Sequence, residues 1–251
     1  MTKSFFNKFN PEIKIFDCTI HGKVECQTFF NAAAFCPLCK MEEERKIRKE
    51  QDDAQNQIIQ FVNFEKAGIK KRYLHKEFSD FYADTPRKSQ VLNFCKKFTE
   101  AFRNTGENLF LLGNIGTGKT HLACCMAKDL VKQKISTRIL PLDEIISEVK
   151  DTWNKNSEIT ERQILNKLIT VEVLFIDEVG TEKIDETALR LIRKIIDSRY
   201  SEMKSTIIIS NFKLESLANL IDQRSISRLC ENSQTIIFNW EDFRLRGKHG
   251  K

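Results

Sequence analysis

The chain has 251 residues, with 41 basic against 35 acidic side chains and a formal charge of +6. At 41% apolar and 30% charged residues it reads as a globular protein with one large core and a small appendage, which excludes disordered and collagen-like classes. No apolar stretch approaches the roughly 20 residues of a membrane helix, and residues 1–10 lack the apolar centre of a secretory signal, so no membrane partner and a cytoplasmic setting are expected. There, eight cysteines argue against a disulfide framework and for metal-binding, reactive or buried thiols. The modest positive charge permits a nucleic-acid partner without requiring one.

Residues 1–40 hold Cys18, Cys26, Cys36 and Cys39. Cys18-Thr-Ile-His21 and Cys36-Pro-Leu-Cys39 are two pairs separated by 14 residues, and the two-residue spacing within each lets both members reach one ion. Four soft or borderline donors suit tetrahedral zinc in a closed, structural site, the staple that a segment of about 40 residues needs in order to fold. Cys26 is an alternative to His21, and the plain reading is a set of unconnected cysteines. The thiols further on, Cys95, Cys124, Cys125 and Cys230, read as small buried hydrophobes. Residues 41–66 are strongly charged at the start, contain no Gly or Pro, and predict a solvated helical linker laced with ion pairs.

From residue 67 to 251 the pattern predicts an α/β domain. Apolar, β-branched-rich runs at 109–112, 137–140, 171–176, 206–209 and 235–238 alternate with helical periods such as Ala188, Leu191, Ile192, Ile195 and Ile196, giving a parallel five-stranded sheet covered on both faces.

The first of these strands runs into Gly113-Asn114-Ile115-Gly116-Thr117-Gly118-Lys119-Thr120, a complete GxxxxGK[ST] phosphate loop (Walker A), followed by His121 and an apolar helix. Glycines let successive N–H groups curl around phosphates, Lys119 reaches the β- and γ-phosphates, and the Thr120 hydroxyl ligates magnesium. About 60 residues later a buried strand ends in Asp177-Glu178, a Walker B pattern in which Asp177 holds magnesium and Glu178 orients or deprotonates the attacking water. Asn211, ending the next strand, suits positioning of that water, or simply a turn. Arg224 and Arg228 share a helix face, either as a solvated basic surface or as an arginine finger offered to a neighbouring subunit.

Over roughly residues 68–246 the chain resembles the AAA+ ATPases, specifically DnaC-type replicative helicase loaders and their IstB-like relatives. The likeness rests on Ala67-Gly-Ile-Lys-Lys-Arg-Tyr73, the Walker motifs, Val149-Lys-Asp-Thr-Trp153, Gln223-Arg-Ser-Ile-Ser-Arg-Leu229 and Ile237-Phe-Asn-Trp-Glu-Asp-Phe-Arg244. The resemblance implies that Asn211 is sensor 1, Arg228 the finger and Arg244 a sensor 2-type arginine at the γ-phosphate. It places Gly68 and Ile69 against the adenine, and Trp153 where such loaders carry an aromatic that engages single-stranded DNA; the alternative for Trp153 is a core residue on the stripe of Ile145, Ile146 and Val149. Asp185 and Thr187 depart from the family's small polar or aromatic DNA contacts. With 40 residues after Asn211, no separate lid domain is expected, and closure would come from self-assembly into an oligomer.

The reading is therefore an ATP- and magnesium-dependent loader for a DnaB-type hexameric helicase, acting with single-stranded DNA in replication. Its zinc module resembles those of phage and mobile-element loaders and would dock the helicase. An IstB-like helper of a transposase and a non-hydrolysing ATP-bound adaptor are the alternatives.

Overall fold

In the computed structural model, which describes residues 12–28, 35–154, 156–180 and 184–245, the chain divides into two compact units, Met1–Ile59 and Gln60–Lys251. In the first, β1 (Glu12–Cys18) and β2 (Gly22–Thr28) pair antiparallel with Cys18 opposite Gly22 and Lys14 opposite Cys26. Cys18 and Cys26 face inward, while Ile13 and Ile15 point outward and are 66% and 72% exposed. The apolar alternation of β1 thus marks its solvent face, so the pattern that usually signals a buried strand face did not register here. The helix α1 (Pro37–Lys66) starts before the expected position because Pro37 at its first turn has a fixed φ already suited to a helix. Within α1 only Phe64 is buried, and Lys40 and Glu44 stand 4.0 Å apart at i, i+4, as expected of a solvated helix.

The second unit opens with α2 (Lys71–Leu74), a single 3-10 turn at Phe78–Asp80, and α3 (Pro86–Glu100), capped by Thr85 whose hydroxyl accepts from the Lys88 amide. The five expected strands follow: β3 (Asn108–Gly113), β4 (Thr137–Pro141), β5 (Val173–Asp177), β6 (Ser205–Ser210) and β7 (Ser233–Phe238). They form one parallel sheet in the order β4-β5-β6-β3-β7. Connecting helices are α4 (Lys119–Lys132), α5 (Leu142–Asp151), α6 (Glu161–Thr170), α7 (Glu186–Ser201), α8 (Leu214–Leu220) and α9 (Gln223–Glu231).

Strand residues alternate between two cores, as a period of two requires. Leu109, Leu111, Phe175, Ile207 and Ile209 pack with Leu122, Met126 and Leu130 of α4 on one face. Phe110, Leu112, Leu174, Ile176 and Ile208 pack with Ile145, Leu165, Leu191 and Ile195 on the other. Both faces are covered, so the central strands are apolar throughout rather than alternating. The Arg199 guanidinium on α7 is wholly buried and donates to the carbonyls of Leu168, Ile169, Val171 and Ser205 and to the Thr206 hydroxyl, tying α6 to β6. Among the described residues no helix is long and apolar enough to cross a membrane.

Candidate nucleotide and zinc sites

The carboxyl ends of β3, β5 and β6 lie side by side, and each delivers part of one site, as expected for ligand binding in an open parallel sheet. At the end of β3, Gly113 has φ +136°, and a Cβ there would fall 2.1 Å from the Phe238 carbonyl oxygen of β7. Only glycine allows the strands to approach so closely before the chain turns. Gly118, at φ +95°, makes the left-handed step into α4, whose first residue is Lys119. Lys119 Nζ donates to the carbonyls of Gly113 (2.8 Å) and Asn114 (2.6 Å), and the Thr117 hydroxyl donates to the Asn114 carbonyl (2.8 Å). Burial lowers the Lys119 pKa to about 8, against the opposing pull of the Asp177 carboxylate.

Asp177, the last residue of β5, is buried, and burial raises its pKa despite a hydrogen bond from the Thr120 hydroxyl and another from the Glu178 amide (2.8 Å). A carboxylate and a hydroxyl thus meet at the first turn of α4, an oxygen-rich pair that fits magnesium. Glu178 takes φ +56°, a left-handed conformation costly for a side chain of this kind. The turn is held by its neighbours: Val179 N donates to Ile209 O (3.1 Å), and the Ser210 hydroxyl donates to Val179 O (2.6 Å).

These elements enclose a cavity of about 360 Å³ lined by Ile115, Gly116, Thr117, Gly118, Lys119, Thr120, His121, Asp177, Glu178, Asn211 and Arg244 among others. The structure therefore gathers most of the residues expected at a nucleotide site. It also adds aromatic walls: Tyr73, Trp240 and Phe243, which belong to the quoted motifs, and Phe81, which no motif announced, line the same cavity. Phe81 meets His121 at 6.2 Å and Trp240 at 6.3 Å, both edge-to-face. His121 Nε2 donates to the Glu77 carbonyl (3.2 Å), which fixes this wall to α4. Ile69 is elsewhere. It is buried in the core, and Gly68 beside it lies so close to β4 that a Cβ would sit 2.2 Å from the Ile139 carbonyl. The segment adds to the edge of the sheet, and Ile69 is not among the residues that line the cavity.

The model of the IstB-like ATP binding protein family matches residues 41–250. The chain belongs to this family. The replicative helicase loader DnaC of Buchnera aphidicola subsp. Baizongia pistaciae is 30% identical over 182 residues, covering 72% of this chain and 74% of that one. The loader DnaC of Escherichia coli K12 is 28% identical over 211 residues, covering 83% and 86%. A crystal structure of the DnaC helicase loader superposes with a TM-score of 0.61 at 24% identity, covering 67% of this chain and 99% of that one. This IstB-like protein is accordingly a DnaC-type AAA+ member and a P-loop ATPase, and the cavity just described is its candidate nucleotide site.

Two other expected residues of this ATPase lie away from that cavity. Arg228 on α9 forms an ion pair with Asp197 of α7, and its guanidinium lies 5.3 Å from the centroid of the Tyr200 ring. Trp153 lies beyond the end of α5, 49% exposed, with its indole N–H donating to Glu161 (3.0 Å). Ile145 and Val149 do enter the core, but α5 ends at Asp151, so the helical spacing no longer carries Trp153 inward. Asp185 caps α7, accepting from the Ala188 amide (2.7 Å) and pairing with Lys150 (2.9 Å), a structural use for a position that departs from the family's DNA contacts.

In the first unit the ligand atoms of Cys18, His21, Cys36 and Cys39 lie within 4.8 Å of one another. Individual separations are 3.5 Å for Cys18–Cys39, and 3.7, 3.6 and 3.3 Å from His21 Nδ1 to Cys18, Cys36 and Cys39. Zinc bonds of about 2.3 Å to sulfur and 2.0 Å to nitrogen give tetrahedral edges of about 3.5–3.8 Å, so the donors are spaced to fit zinc. Amide hydrogen bonds from His21 and Ile20 are the main reason the Cys18 pKa falls to about 6, which favours the thiolate a metal needs. Cys26 stands apart, its thiol donating to the Lys14 carbonyl (3.1 Å), which leaves His21 as the fourth donor. Glu42, which no motif marked, lies 3.2 Å from His21 Nε2 and orients the ring so that Nδ1 faces the sulfurs.

Proposed function

We propose that this ATPase loads a DnaB-type hexameric helicase onto single-stranded DNA during the initiation of replication, with zinc holding the module that docks the helicase. The observation that carries this reading is the match along most of the length of relatives named replicative helicase loaders, supported by a cavity lined with the residues of both Walker motifs. In the hydrolytic step, Lys119 and the amides of the phosphate loop neutralise the β- and γ-phosphates, and Thr120 with Asp177 holds magnesium. Magnesium, when bound, draws charge from the phosphate oxygens. Glu178 accepts a proton from the attacking water, Asn211 orients that water, and Arg244 contacts the γ-phosphate from the same chain. Arg228 leaves Asp197 to reach the nucleotide of a neighbouring copy, so hydrolysis requires an oligomer on the helicase. Trp153, exposed beyond α5, stacks on a base of the single strand.

The test is capture of a purified hexameric helicase by the full chain, with and without chelation of zinc. Binding that disappears on chelation supports the reading; failure to bind any replicative helicase, with capture by a transposase instead, overturns it. In the same assay Lys119→Ala is expected to abolish nucleotide binding. Arg228→Ala is expected to retain it and to lose DNA-stimulated hydrolysis; normal hydrolysis in that variant would refute the action in trans.

A further inference from the structure

The segment after β7 contacts the phosphate loop at successive points. Asn114 N donates to Phe238 O (3.0 Å), Trp240 Nε1 donates to Thr117 O (3.0 Å), and Phe243 N donates to Gly116 O (3.0 Å). The Trp240 ring is held at 5.1 Å from Phe238 and 6.3 Å from Phe81, so its N–H has little freedom to turn elsewhere. The Asp242 carboxylate accepts from the Arg244 amide (2.8 Å) and lies where a Cβ on Gly116 would be, 1.7 Å from that position.

In a planar trans peptide the C=O and the N–H of the following residue point in opposite directions. A bond that holds the Thr117 carbonyl therefore aims the Gly118 amide to the other side, and one that holds the Gly116 carbonyl does the same for the Thr117 amide. These two amides belong to the nest that binds phosphate. We propose that Trp240 and the Phe243 amide are positioning groups for phosphate binding: by holding two carbonyls of the loop, they fix the planes of two peptides and preorganise their N–H groups before nucleotide arrives. This rests on the chain's being a nucleotide-binding ATPase, and it assigns to the segment following β7 a role separate from any arginine at the γ-phosphate.

The test is affinity for ADP and for AMP, measured by calorimetry on the full chain. Trp240→Phe keeps a ring and deletes the donor. It is expected to weaken ADP binding roughly tenfold, the loss of one well-placed hydrogen bond, while the dissociation constant for AMP, which lacks the β-phosphate, moves by less than about twofold. The second comparison is between Phe243→Ala and Phe243→Pro. Both lose the ring, but only proline loses the amide, and proline is tolerated at the first position of a 3-10 turn. Phe243→Pro is expected to bind ADP roughly tenfold more weakly than Phe243→Ala. The proposal is overturned if ADP affinity is unchanged in Trp240→Phe and equal in the two Phe243 variants, or if AMP and ADP lose affinity equally. Should Trp240→Phe unfold, the Phe243 pair decides alone. Wild-type protein that binds no ADP would instead sink the nucleotide-site reading itself.

Discussion

At Gly116 an added methyl group would meet both an unfavourable backbone conformation and a carboxylate. The backbone is at φ +71°, a conformation alanine rarely adopts, and an added Cβ would have to displace the Asp242 carboxylate, 1.7 Å from its position. Gly116→Ala is expected to weaken ADP binding by roughly tenfold or more, read by calorimetry. Lys119 sets a pH limit. Its pKa, lowered to about 8 by burial, rises when phosphates bind, so binding takes up a proton once the free protein has lost one. ADP affinity is therefore expected to hold below pH 8 and to fall as pH climbs above it, with proton uptake visible in buffers of different ionisation enthalpy. In the Cys/His cluster proposed to hold zinc, Glu42→Gln keeps the size but weakens the acceptor of His21, and zinc affinity measured by chelator competition is expected to drop about 10-fold or more. The phosphate loop was legible because its glycines, lysine and threonine are contiguous and each has a local reason to be there. The contacts of Trp240 and Glu42 were not, since a donor 123 residues from its acceptor and a carboxylate 21 residues from its histidine leave no local pattern.

Among the elements, the strands of the parallel sheet were read directly from sequence because burial on both faces requires continuous apolar runs, as in Leu109, Phe110, Leu111 and Leu112. The hairpin of β1 and β2 was not, for its exposed isoleucines mark the wrong face. Helix ends were a further limit: the periodic stripe through Ile145 and Val149 gives no sign that α5 stops two residues before Trp153. Arg199 is the joint between α6, α7 and β6, its guanidinium satisfied by carbonyls with no carboxylate partner among the contacts described. Arg199→Ala leaves those carbonyls bare beside a cavity, a loss of about 3–5 kcal/mol. The thermal midpoint is then expected to fall by about 10 °C, as followed by calorimetry or circular dichroism.

For the molecule as a whole, the two units depend on different forces. The buried apolar side chains of the sheet and its helices stabilise the second unit. Among the described residues up to Ile59, the buried ones are Cys18, Cys26 and Cys36, too few to make a core without a bound ion. If zinc fills the Cys/His cluster as proposed, its chelation is expected to expose residues 12–28 and 35–40 to protease while ADP binding by the ATPase unit continues; loss of both together would count against independent stabilisation. The order of the sheet has a consequence for synthesis. Strand β3, which carries the phosphate loop, is flanked by β6 and β7, both of which leave the ribosome long after it. Such distant pairings form late and slowly. A nascent chain that has already emitted its entire GxxxxGKT motif therefore still lacks both strands that flank the one carrying it, and the loop stands at an unpaired edge until β6 and β7 arrive.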